Sequence, residues 1–89
     1  MDKLDPSQLE YPIFFPLKVI GANAEDFESF VLEIIHRHVP GLLEENITSR
    51  LSSGDKYRSV SVEFIAQSHE QVAVLCGELS SHKRVLYLL

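Results

Sequence analysis

The chain has 89 residues, 45% of them hydrophobic and 24% charged, with 13 acidic against 8 basic side chains and a formal net charge of −5. That length bounds it to one domain with a small ordinary core, and its composition excludes both a disordered chain and a membrane span of about 20 apolar residues. The negative charge argues against phosphate backbones and anionic membranes as partners, so neither nucleic acid nor a lipid surface is expected.

Residues 1–10 read as a loose polar arm, and residues 11–89 as a single domain. The start, Met1-Asp2-Lys3-Leu4-Asp5-Pro6, has no apolar stretch of the signal-peptide kind, and with one cysteine, Cys76, a cytoplasmic location is expected. Phe15, Leu17 and Val19 alternate with Pro16, Lys18 and Ile20 and predict a first strand. Because proline cannot donate to a ladder, ordered pairing is expected to begin near Leu17. Gly21-Ala22-Asn23 closes the strand, and Asn23 is a candidate cap for a helix whose first turn holds Glu25 and Asp26. Phe27, Phe30, Val31, Ile34, Ile35 and His38 share one face of that helix, which Pro40-Gly41 stops.

A weaker strand of about Asn46 to Ser52 reads as an edge, and Ser52-Ser53-Gly54-Asp55 turns the chain. The third strand alternates most clearly, with Val60, Val62, Phe64 and Ala66 inward and Tyr57, Ser59, Ser61, Glu63 and Ile65 outward. Ser68 and Gln71 have capping-box spacing ahead of a helix that buries Val72, Leu75, Cys76 and Leu79. Val85, Tyr87 and Leu89 then alternate inward against Arg84, Leu86 and Leu88 in a last strand. The order β-α-β-β-α-β predicts an α+β, ferredoxin-like sandwich: a four-stranded antiparallel sheet, first and third strands central, with both helices on one face.

Candidate chemistry is sparse. His36 and His38 are two apart on a helix and point in different directions, so they do not make the i, i+4 metal pair. His69 and His82 read as surface residues, Cys76 as an inert thiol in the apolar stripe, and Glu44-Glu45 with Glu25, Asp26 and Glu28 as solvated faces. Lys56/Arg58 and Lys83/Arg84 form a basic patch only if their strands start side by side. No catalytic residue, cofactor or metal site is expected.

Two places remain as binding candidates. The open sheet face would present Lys18, Ile20, Tyr57, Ser59, Ser61, Glu63, Ile65, Leu86 and Leu88, a mixed surface suited to a protein partner or a second copy, with the last strand's free edge beside it. Gly21 and Asn23 sit where a strand feeds a helix, a place suited to a small anion or carboxylate, although a lone glycine is weak evidence and a simple turn is its more ordinary role.

Four segments in this order carry a family resemblance: Tyr11-Pro12 before Lys18-Val19-Ile20-Gly21; Arg37-His38-Val39-Pro40-Gly41; Tyr57-Arg58-Ser59-Val60-Ser61; and His69-Glu70-Gln71-Val72 through Leu75 to Glu78-Leu79. Together they resemble the YbeD-like family of small bacterial proteins of unknown function, over about residues 11 to 89. The resemblance implies a ferredoxin-like fold related to the ACT-type modules that sense amino acids, with no activity, catalytic residue or cofactor to carry over. Pro16 and Cys76 depart from the residue types expected at their positions. The leading expectation is therefore a non-enzymatic cytosolic regulatory or adaptor module that binds a protein or itself. An ACT-like sensor of a small metabolite at Gly21–Asn23, or an enzyme with an unrecognised site, are the alternatives.

Overall fold

The computed structural model describes residues 10–89, so the expected arm lies outside the described residues except for Glu10. Strands β1 (Ile13–Ala22), β2 (Ile47–Leu51), β3 (Tyr57–Ala66) and β4 (Val85–Leu88) and helices α1 (Phe27–His38) and α2 (His69–Ser80) follow one another as β1-α1-β2-β3-α2-β4. The sheet order is β2-β3-β1-β4 and each neighbouring pair is antiparallel. The ferredoxin-like topology read from the sequence is thus the topology of the molecule.

The core lies between the sheet and the helices. Leu17 and Val19 from β1 and Val60, Val62, Phe64 and Ala66 from β3 meet Phe27, Val31, Ile34 and Ile35 of α1 and Val72, Leu75 and Leu79 of α2. No polar or charged side chain is buried among the described residues. Such a core is held by apolar burial, each fully enclosed Leu, Ile or Phe contributing about 1.5–3 kcal/mol.

Ordered pairing of β1 starts earlier than expected: its ladder to β3 runs unbroken from the Ile13–Ala66 pair to the Ala22–Tyr57 pair and passes through Pro16 opposite Glu63. The reason lies in which way Pro16 faces. Lys18 and Leu89 exchange both backbone hydrogen bonds, at 3.0 and 2.9 Å, so even-numbered β1 residues direct their N–H toward β4. Pro16 points its missing donor the same way, past the last β4 pairing, and costs the β3 ladder nothing.

The two helix starts differ from each other. Ser68 caps α2, its Oγ accepting from the Gln71 N–H at 3.1 Å, while the Gln71 amide reaches back to accept from the Gln67 N–H at 2.7 Å and donates across to the His38 carbonyl at 2.8 Å. Asn23 does not cap α1, contrary to the sequence reading. The N-cap is Asp26, three residues later, and the Asn23 side chain instead donates to the Asp55 carbonyl and accepts from Arg58. A two-residue turn between Ala24 and Phe27 displaces the helix from the strand end, closed by the Phe27 N–H bonding to the Ala24 carbonyl.

Candidate functional site on the open sheet face

Both helices cover one side of the sheet, and the residues of opposite parity form the other. On β3 these are Tyr57, Ser59, Ser61, Glu63 and Ile65, and on β1 Phe14, Pro16, Lys18 and Ile20, paired across the ladder. Thr48 and Arg50 extend the layer onto β2 opposite Ser61 and Ser59.

The β4 contribution differs from the sequence reading. Ile20 pairs with Tyr87 but Gly21 pairs with Val85, so Leu86 is an extra residue in a β-bulge. Beyond a bulge the side-chain parity inverts. Val85 and Leu88 therefore pack against the core, whereas Tyr87, 63% exposed, and Leu89 stand opposite Ile20 and Lys18 on the open side. Leu88 is thus corrected from the open face to the core side, and Tyr87 joins the face. The run Val85-Leu86-Tyr87-Leu88-Leu89 is apolar throughout and offers no alternation from which to see this. Gly21 across from it is the one available hint, since strand glycines often mark bulges.

One transverse row now takes a residue from every strand: Arg50, Ser59, Ile20, Tyr87. Around it lies a shallow cleft of about 330 Å³ lined by Lys18, Ile20, Arg50, Leu51, Tyr57, Ser59 and Tyr87 together with Ser52 and Arg58. Every charged residue lining it is a cation, in a chain of net charge −5. Arg58 is tied to Asn23 and Ser49, but neither Lys18 nor Arg50 has an ion-pair partner among the described residues. At the far end of the sheet Phe14 and Ile65 pair side by side, 56% and 52% exposed. They border a second cleft of about 480 Å³ that the loop after α1, with Val39, Leu42 and Leu43, closes on its other side.

The strand-to-helix loop is built differently. Gly21 is buried, and a Cβ there would stand 2.3 Å from Phe27 Cε1 and 2.4 Å from the Arg84 carbonyl oxygen, so this glycine serves close packing of β1 on the start of α1 and on the residue that leads into β4. The Asn23 N–H bonds to the Lys56 carbonyl at 3.0 Å. At the start of α1, Arg84 lies 4.6 Å from the Phe30 ring centroid and grips the Asp26 carboxylate through both terminal nitrogens, at 2.7 and 3.2 Å. That hydrogen bond first, and then the charge of Arg84, hold the Asp26 carboxyl below its usual range. β3 and β4 do begin at the same end of β1, but Arg58 and Arg84 turn to different partners and do not pool into a basic patch.

The remaining titratable residues are structural ties. His38 meets Glu78 at 2.7 Å, and Arg37 pairs with the other oxygen of the same carboxylate, clamping the end of α1 to α2. The Glu78 carboxyl is lowered, chiefly by the His38 hydrogen bond and further by the charge of Arg37. His82, read as a surface residue, is half-buried and meets Phe30 edge-on, the centroids 5.1 Å apart. Cys76 is half-buried against the core, and burial pushes its thiol up, away from the reactive thiolate. Among the described residues no group of three or more His, Cys, Asp or Glu is placed to hold a metal, and no helix is long and apolar enough to cross a membrane.

Comparison with known proteins bears on the family and the fold. The family model described as "Protein of unknown function (DUF493)" matches residues 6–89. A UPF0250 protein of Janthinobacterium sp. (strain Marseille) is 38% identical over 100% of both chains. One from Neisseria meningitidis is 37% identical over 93% of this chain and 91% of its own. Among solved structures, a Helicobacter pylori protein superposes with a TM-score of 0.71 at 14% identity, covering 100% of this chain and 98% of that one. The ACT domain from the GTP pyrophosphokinase of Chlorobium tepidum does so with a TM-score of 0.68 at 9% identity, covering 86% and 83%.

Proposed function

The chain belongs to the DUF493 family of UPF0250 proteins, and from that footing we propose that it is a non-catalytic cytoplasmic regulatory or adaptor module. It binds a protein partner, or a second copy of itself, through the open sheet face and the free edge of β4. The observation that carries this reading is the uncovered side of the sheet, where Phe14, Ile65, Ile20, Tyr57, Tyr87 and Leu89 share one surface. Exposed apolar groups gathered on one face are what association buries.

The test is a Phe14→Asp/Ile65→Asp double variant, both positions lying outside the core, compared with wild type by light scattering and by affinity capture. Loss of the bound protein or of self-association by roughly tenfold or more is expected. Unchanged binding by a variant whose far-ultraviolet dichroism is native removes the reading.

A second reading, a sensor of a small metabolite such as an amino acid, draws support from the likeness to an ACT domain. Its proposed site, Gly21 and Asn23, offers little room, because Phe27 fills the space beside Gly21 and the Asn23 side chain is committed to Asp55 and Arg58. A stereospecific rise in melting temperature across an amino-acid panel would favour the sensor over the adaptor.

A further inference from the structure

The charge pattern of the open face specifies more than that something binds there. The row Arg50, Ser59, Ile20, Tyr87 crosses four strands, about 14 Å at the usual strand spacing. Ile20, with Leu51, Tyr57 and Tyr87 around it, makes an apolar floor, while Lys18 and Arg50 rise from it with no carboxylate among the described residues to neutralise them. Among the described residues no acidic side chain lines this cleft. An occupant must therefore bring its own negative charge to two sides of an apolar centre. The cleft is shallow and sits at the low end of the range of about 300–1,000 Å³ typical of small-ligand pockets, which suits a side chain or two projecting from a larger body.

We infer that the cleft around Ile20 takes an acidic segment of a partner protein, in which one or two large apolar side chains flanked by carboxylates seat on Ile20, Tyr57 and Tyr87 while the carboxylates pair with Lys18 and Arg50. This rests on the open-face reading above and names the partner's chemistry. A single-stranded nucleic acid is the competing anion, since two tyrosines can stack on bases. Two unpaired cations, with Glu63 exposed on the same face, make a poor track for a phosphate backbone.

The experiment follows backbone amide shifts of the full chain by NMR during titration with a short synthetic peptide whose Phe-Leu centre is flanked by aspartates. The same peptide with lysines for aspartates, and an oligo-uridylate, are the controls. The acidic peptide is expected to shift Lys18, Ile20, Ser59 and Tyr87 saturably, to weaken with salt, and to bind roughly tenfold more tightly than the lysine peptide. The double variant Lys18→Glu/Arg50→Glu, at two exposed positions, is expected to reverse that preference. Equal binding of the two peptides, shifts mapping elsewhere, or a response to oligo-uridylate alone overturns the assignment. So does concentration-dependent self-association that Lys18→Glu/Arg50→Glu abolishes, which would make the occupant a second copy. If capture of a partner depends on Phe14 and Ile65 but not on Lys18 and Arg50, only the charge assignment falls. If it depends on none of the four, the open-face reading falls with it.

Discussion

Two glycines show how one hydrogen in place of a methyl can carry opposite consequences. At Gly21 an added Cβ would lie within 2.5 Å of both the Phe27 ring and the Arg84 backbone just before β4, where no flexible side-chain end alone can yield. Gly21→Ala is expected to cost about 1–3 kcal/mol in urea unfolding. Gly77 lies inside α2 with open space where its Cβ would be, so Gly77→Ala is expected to stabilise by about 0.5–1 kcal/mol, because alanine has less backbone freedom to lose. Glu78 gives a pH signature. Its folded carboxyl is held low by His38 and Arg37, so near its ordinary range the folded state binds fewer protons than the unfolded one and stability rises with pH. The contribution is complete above about pH 4.3 and is lost as pH falls through the lower folded value. Asp26, paired with Arg84, adds in the same direction. Acid titration of Glu78→Gln should therefore give a shallower loss of stability than wild type, and an unchanged acid limb would remove the clamp from the account.

Among the helices and strands, those with a strong internal rhythm could be read directly. Val60, Val62, Phe64 and Ala66 alternate without interruption, and all four are buried on the helix side. The Ser68–Gln71 spacing likewise gave a cap that the structure forms, and Ser68→Ala should cost about 1 kcal/mol in thermal or urea unfolding. Other features depended on contacts that local pattern does not contain. Pro16 looks like a break until its direction relative to β4 is known. Replacing it with valine is therefore expected to change stability by less than about 1 kcal/mol, no ladder hydrogen bond being at stake. Asn23 has the residue type of a cap, but Arg58 and Asp55, distant in sequence, compete for its side chain and hold it. The parity of β4 was hidden most completely, because leucine and tyrosine suit either face and the bulge at Leu86 leaves no mark in a wholly apolar run. As a result the surface was legible as a face while its cleft was not: Lys18, Ile20, Tyr57 and Ser59 were in view, and Tyr87 and Arg50 were not.

The molecule keeps its charge apart from its core, and its two sheet surfaces differ in that the helices cover only one of them. One surface is consumed by the helices, which the Arg37–Glu78–His38 clamp and the Gln71–His38 hydrogen bond lock to each other. The opposite surface is left uncovered, and a sheet held so firmly from behind would present the proposed contact with little rearrangement. Raising the ionic strength should lower partner affinity on this surface if Lys18 and Arg50 steer the encounter, a dependence that titration at two salt concentrations would read. The four-strand row has a further implication. Because Arg50, Ser59, Ile20 and Tyr87 come one from each strand, the cleft exists only while all four are docked in register, and fraying of the short β4 alone would dismantle it. With the open face as the proposed binding surface, a half-assembled copy would lack the cleft, and occupancy is expected to slow amide exchange across the entire sheet instead of at a single strand.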